Sequence, residues 1–317
     1  MRVILDCDPG IDDTYALIWL TAAAHAGIVE LDCVSTTSGN THAEQCARNA
    51  AWVLSLCGLP IVPVAAGCPE PLVCELTTTP ETHGETGLGY ATALAREVEH
   101  DFDALWIDAI ERGTDDLHLI VTGPLTNLAA FAEAHPEHYA ELKHITVMGG
   151  AVNYPGNTTP SAEWNFWVDP HAAADVFAMT PTPVTLCSLG VTERMLLTPM
   201  ALAELVEKAT AAGVDPSQIT LDPGLGFAKT PEDNWALLHA LPEFVAGEFP
   251  VLVGASRKRF LMEIRADRGL EHSPINADPA TAAVTALAAH AGAWCVRVHE
   301  VAVSRDAVDV ARRWTNG

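Results

Sequence analysis

Short β-branched runs alternate with Ala-rich helical stretches along almost the whole chain, and this rhythm limits the architectures open to it. Candidate strands occupy 2–6 (RVILD), 29–35 (VELDCVS), 61–65 (IVPVA), 117–121 (LHLIV), 144–148 (HITVM), 183–187 (PVTLC), 218–222 (QITLD), 250–254 (PVLVG) and 294–298 (WCVRV). Helical patterns fill 12–26, 42–57, 101–112, 124–134, 170–179, 199–212, 231–240, 256–265, 278–292 and 304–314. A strand followed by a helix and a further strand crosses over, which gives parallel pairing with helices packed on the sheet. The expected fold class is therefore α/β, an open, mainly parallel sheet with helices on both faces. With 49% apolar residues among 317, the chain can bury one large or two modest domains.

In such a sheet the ligand crevice lies beyond the carboxyl ends of the strands. The loops there read DCDPGIDD, TSGN, TGPLTN, MGGAVNYPGN, LDPGLGFAK, GASRKRF and RVHE. The stretch from 66 to 89 is the longest irregular segment, suited to a loop over the crevice. Seventeen Lys and Arg against 41 Asp and Glu give a formal charge of −24, which argues against nucleic acid as a partner. The eight cysteines show no Cys-x-x-Cys spacing and are expected as buried, reduced thiols. No run of 18 apolar residues suggests a membrane span, and the N-terminus enters a strand directly, so a cytoplasmic protein is expected.

The first strand ends in Asp6, Asp8, Asp12 and Asp13, like charges that repel unless a cation sits among them. Hard cations such as Ca2+ take six to eight oxygens, roughly, and a Pro-Gly turn after a strand can aim several carboxylates inward. Helix capping alone accounts for Asp12 and Asp13 but leaves Asp6 and Asp8 unexplained. Elsewhere two readings stay open. Asn157 follows Gly156 and suits a left-handed turn as well as a ligand contact. Glu163 and Asn165 alternate with Trp164 and Phe166, which fits a strand edge or a ligand wall. His83 taken alone reads as a surface-loop histidine and Met148 as core.

The motifs DCDPGIDD, TSGN, HGETGLG, TGPLTN, MGG followed by GN, and AEWNFWVDP, in that order up to VTERMLLTP, resemble the nucleoside hydrolases. The resemblance implies hydrolysis of the N-glycosidic bond of a ribonucleoside, to ribose and free base, on a calcium ion above an open α/β sheet. It implies Asp8 as the base toward the attacking water and a metal ligand, Asp13 as a bidentate ligand, and the Thr122 backbone carbonyl as a further one. Asp12 matches the group bonding the ribose 2′-hydroxyl; Asn40, Asn157, Glu163 and Asn165 match groups on the sugar hydroxyls, with Met148 a possible sugar contact. His83 falls near the base pocket. The family suggests dimers or tetramers, hence a homo-oligomer.

That family also supplies a His-Asp pair from its C-terminal third, and no His-Asp dipeptide follows VTERMLLTP here. Residues from AGVDPSQITLDPGLGFAK through PVLVGASRKRF to DPATAAVTALAAHAGAWCVRVHEV instead resemble the last three βα units of a dihydropteroate synthase, a (β/α)8 barrel. That resemblance implies Asp222 and Lys258 on a pterin, Ser256 and Arg257 on the aminobenzoate side, and Arg297 with His299 on pyrophosphate. Glu300 stands where that family usually shows Asp. Without the resemblance, the Arg-Lys pair and the Arg-x-His suit an anion site or plain strand-end charges.

The chain thus reads as a hybrid of a nucleoside hydrolase-like part, 1–205, and a dihydropteroate synthase-like part, 206–317, joined within 199–213. Its three last strands are expected to extend the first sheet. The expected activity is calcium-assisted nucleoside hydrolysis, impaired by the missing pair. The alternatives are a pterin-binding transferase fragment and a catalytically inactive hybrid. Asp222 is a candidate substitute for the missing metal ligand.

Overall fold

The first strand, β1 (Arg2–Cys7), is buried at every position. Val3, Leu5 and Cys7 pack into one apolar cluster and Ile4 into another, the two-residue period of a strand covered on both faces. In the computed structural model, β1 lies in the middle of a six-stranded sheet with β2 (Glu30–Thr36), β3 (Val64–Ala66), β4 (Leu117–Val121), β5 (His144–Met148) and β6 (Val184–Cys187), in the order β3-β2-β1-β4-β5-β6. All five pairings are parallel. On one face Trp106, Leu128 and Phe131 pack over Leu119, Val121 and Val147; on the other, Leu17, Leu20 and Val53 cover Leu5 and Val34. The expected α/β architecture is thereby met by the N-terminal part of the chain.

The structure describes residues 1–316 except 90, 95, 180–181, 195–198, 212, 227–228 and 272, and omits the side chains at 81, 179, 199–203 and 316. Parts of two quoted motifs, 195–198 in VTERMLLTP and 227–228 in LDPGLGFAK, therefore lie outside the described residues. Two compact units divide the chain, Met1–Arg194 and Met195–Gly317.

The C-terminal unit corrects one expectation: its strands do not extend the six-stranded sheet. β7 (Leu252–Val253) pairs in parallel with β8 (Cys295–Val296), and Leu221 adds a single bridge to Val251. The expected strand at 218–222 shrinks to that bridge after a 3-10 turn at Pro216–Gln218. Pro216, Pro223 and Pro250 flank these short ladders and remove backbone donors. The apolar residues are consumed locally, since Leu225, Leu241, Val251, Val253, Phe260, Leu261 and Val284 make a separate core. Among the described residues no helix is long and apolar enough to cross a membrane.

Candidate active site

β1 delivers its carboxylates to the crevice because the chain turns at Pro9-Gly10 and enters helix Ile11–His25 immediately. Gly10 occupies the N-cap with no side-chain cap bond, so neither Asp12 nor Asp13 acts as the cap. The two neighbours part company on the first helical turn. The Asp12 side chain is 80% exposed, whereas Asp13 is buried.

Asp8 is buried and accepts the Asn40 amide on Oδ2 at 2.8 Å, while the Asn40 side chain donates to the Asp8 carbonyl at 3.1 Å. Asp13 Oδ1 accepts the Thr122 hydroxyl at 2.5 Å. Burial, then the nearby charge of Asp13, pushes the Asp8 carboxyl well above its usual range. Asp13 is raised as well, by burial and then by the charge of Asp12, so burial and like charge act on both carboxyls. Two glycines make room for Asp8. A Cβ on Gly39 would overlap its carboxylate, and one on Gly123 would come within 3.0 Å of Oδ1.

The opposite wall is built on β5 and the short helix Trp164–Val168. Asn165 donates from Nδ2 to the Thr122 carbonyl at 2.7 Å and to the Met148 carbonyl at 3.2 Å, joining the ends of β4 and β5. Glu163 is the N-cap of that helix. Its carboxylate accepts the amides of Gly150 (2.8 Å), Asn165 (3.0 Å) and Phe166 (3.2 Å), while burial raises its pKa. The alternation of Glu163, Trp164, Asn165 and Phe166 therefore marks a helix start rather than a strand edge. Asn157 is not left-handed; Asn153 is, at φ 51°. Instead, Asn157 accepts the Trp164 amide at 3.0 Å.

His83 covers the helix start. Its Nδ1 accepts the Ile11 amide at 3.1 Å, so the proton of the neutral ring sits on Nε2. The 4.0 Å approach of Asp12 to the same Nδ1 is then no salt bridge.

Asp8, Asp12, Asp13, Asn40, His83, Thr122, Met148, Asn157, Glu163 and Asn165 all line one cavity of about 390 Å³, within Met1–Arg194. Thr79, Thr82, Thr158 and Trp164 line it too and were missed by sequence reasoning. The TTTPETHGE context of His83 was the available signal for Thr79 and Thr82. No Lys or Arg is among the lining residues. A larger cavity of about 670 Å³, at Glu44, Arg48 and Arg96, contains none of these groups, and its arginines bond Glu44 and Ser55.

Among the described residues no cluster of three or more His, Cys, Asp or Glu is arranged to hold a metal. The donors present are nonetheless hard oxygens: two buried carboxylates forced together and the Thr122 carbonyl. They fit a divalent cation in kind, as a set of three protein groups that leaves coordination positions to solvent or substrate.

The residues implied by the second resemblance gather within the C-terminal unit. Ser256 Oγ lies 2.9 Å from His299 Nδ1, Arg257 bonds Asp278 through Nε and Nη2 at 2.9 Å, and Arg297 approaches Asp222 at 3.9 Å. Lys258 is held below its usual pKa by burial and then by Arg297. Asp222 turns its other oxygen to the Gly224 amide at 2.8 Å.

A sequence model described as "Inosine-uridine preferring nucleoside hydrolase" matches residues 3–314. The chain belongs to this family. The match runs through the segment that resembles dihydropteroate synthase, so the division of the chain between two families finds no support in it. The pyrimidine-specific ribonucleoside hydrolase RihA of Shewanella baltica is 41% identical over 200 residues, 61% of this chain and 60% of that protein. The RihA protein of Photobacterium profundum is 35% identical over 224 residues, 69% of each chain. Among solved structures, the purine-preferring ribonucleoside hydrolase from Gardnerella vaginalis superposes with a TM-score of 0.58 at 31% identity, covering 68% of both chains. A plant nucleoside hydrolase, PpNRh1, gives 0.53 at 30% identity, over 58% of this chain and 59% of that one. The chain thus spans about three fifths of the first relatives it matches.

Proposed function

We propose that this protein hydrolyses the N-glycosidic bond of ribonucleosides, releasing ribose and the free base, with a calcium ion bound by Asp8, Asp13 and the Thr122 carbonyl. The observation that carries the reading is the buried pair Asp8 and Asp13 in a cavity lined by Asp, Glu, Asn and Thr side chains and by no Lys or Arg. Two adjacent carboxylates without a cation are costly, which is how a site for a cationic cofactor looks when its donors are seen alone. When bound, the ion lowers the pKa of water and orients sugar hydroxyls.

The side chains divide the remaining work. Asp8 takes the proton from water on its carboxylate as oxygen adds to C1′ and the bond from C1′ to the base nitrogen breaks. In this reading Asp12, Asn40, Asn157, Glu163 and Asn165 bond the ribose hydroxyls, holding a ring that gains oxocarbenium character. His83 stands near the departing base. The RihA relatives are named for pyrimidine ribonucleosides and the Gardnerella enzyme for purines, so both classes belong in the assay.

The deciding experiment measures reducing sugar released from uridine, cytidine and inosine, with calcium and with EDTA. Release that depends on calcium and is lost in Asp8→Ala is expected. Equal release by the Asp8→Ala protein, or release indifferent to EDTA, would overturn the assignment.

A second reading concerns the C-terminal unit, where burial and then Arg297 lower the Lys258 pKa, and burial, then Arg257 and Arg297, lower that of His299, a cluster of cationic side chains that supports an oxyanion-binding role, phosphate or pterin pyrophosphate. The family match to residue 314 speaks against a hybrid origin. Calorimetric titration with inorganic phosphate, lost in Arg297→Ala, is its test.

A further inference from the structure

All eight cysteines are free thiols, and they do not share one environment. Cys7, Cys33 and Cys46 are buried, and burial pushes all three thiols up. Cys68 is pushed up to about 12 and Cys57 is raised as well, by burial in both cases. The sulfur contacts of Cys7, Cys33, Cys46 and Cys295 all run to backbone carbonyls.

Cys74 differs. Its Sγ lies 3.7 Å from Nδ1 of His171, an exposed residue in the first turn of helix Pro170–Met179. The loop carrying Cys74 is anchored close by, because the Leu72 amide donates to Asp169 Oδ2 at 2.8 Å. That oxygen also accepts the Thr126 hydroxyl at 2.8 Å, and Oδ1 accepts the Ala172 amide at 3.0 Å. The thiol is therefore presented to the imidazole by a backbone tied to the start of the same helix. Neither residue lines the acidic cavity, and the pair does not depend on the proposed hydrolase reading.

We infer that Cys74 and His171 form a thiol-modification site that exchanges with small disulfides of the glutathione class. In the exchange, His171 Nδ1 takes the thiol proton and Cys74 Sγ attacks one sulfur of the disulfide. A new sulfur–sulfur bond forms, the old one breaks, and the departing thiolate takes up the proton to leave as free thiol. One disulfide is consumed and one mixed disulfide is made, with no other oxidant required. A half-buried sulfur beside a solvent-exposed imidazole admits a reagent that the buried thiols exclude.

The test incubates the intact chain with oxidised glutathione, quenches at intervals and maps the mixed disulfides by peptide mass spectrometry. Cys74 is expected to be modified first, and the map of the wild-type protein needs no variant. His171→Ala is expected to slow modification of Cys74 by about tenfold, less than the roughly hundredfold an ideally placed base supplies, with the thermal midpoint unchanged. First modification at Cys57, Cys187 or Cys295 would overturn the inference. So would an unchanged rate at Cys74 in the folded His171→Ala protein, or equal slowing at every cysteine.

Discussion

Replacing Asp6 by Asn is expected to stabilise the protein at neutral and alkaline pH and to lose that advantage in acid. Asp6 is the penultimate residue of β1 and is fully buried. Oδ1 accepts the Ser35 hydroxyl at 2.6 Å and the Asn127 side-chain amide at 2.8 Å, while Oδ2 has no partner. Burial pushes its carboxyl from 3.8 up to about 6, against the lowering effect of those two bonds. The native protein thus keeps this proton until about pH 6, whereas the unfolded chain gives it up near 3.8. Between those values the native state binds more protons than the unfolded one, so unfolding free energy falls as pH rises and is level above the folded value.

At about 1.4 kcal/mol for each pKa unit, the ionised carboxylate costs about 3 kcal/mol once fully deprotonated. Asn carries no such charge and its amide oxygen can keep both hydrogen bonds. Its amide nitrogen inherits the unpartnered position of Oδ2, a penalty of about 1–3 kcal/mol that does not vary with pH. The informative quantity is therefore the difference between two pH values. Urea unfolding of both proteins in EDTA at about pH 4 and about pH 8 should show Asp6→Asn gaining about 2–3 kcal/mol relative to wild type across that interval. A gain independent of pH, or one that appears on the acid side, would refute the reasoning. The proposed calcium site should survive the substitution, because Asp6 is not among the cavity-lining residues.

Gly39→Ala is expected to cut the proposed ribose release by about tenfold or more, since its Cβ would overlap the Asp8 carboxylate and the Pro124 ring, and a shift of about 1 Å in a reacting group is expensive; wild-type kinetics would refute it. Asn165→Ala leaves the Thr122 and Met148 carbonyls without their donor and should lower stability by about 1–3 kcal/mol while raising KM, read from melting curves and steady-state assays. Glu163→Gln keeps an acceptor for the Gly150 and Phe166 amides but sets its amide nitrogen against the Asn165 amide, and should lower the thermal midpoint; an unchanged midpoint would mean that this part of the cap contributes nothing.

Most of the site was legible in the sequence because its residues follow strand ends, and a parallel βα pattern places strand ends together whatever the packing details. Asp8, Asn40, Thr122 and Met148 lie at or just past the ends of β1, β2, β4 and β5, and the structure gathers them around one cavity. Thr79 and Thr82 were not legible, since they arrive by a long irregular loop whose path is set by contacts such as Thr79 with Asn40. The C-terminal strands show the opposite failure. Their β-branched runs are real, yet flanking prolines and a core of their own keep them in a two-stranded sheet.

The order of residues along this chain determined the α/β class, the six parallel strands of the first sheet and the acidic turn after β1, because all three follow from local periodicity and turn chemistry. Only the folded molecule decided that Asp13 turns inward while adjacent Asp12 faces water, that Glu163 spends its oxygens on a helix start, and that β7 and β8 pair apart from the larger sheet. Those outcomes depend on which surfaces exclude water and which backbone donors lack partners, properties of three-dimensional packing that neighbouring residues in the chain do not encode.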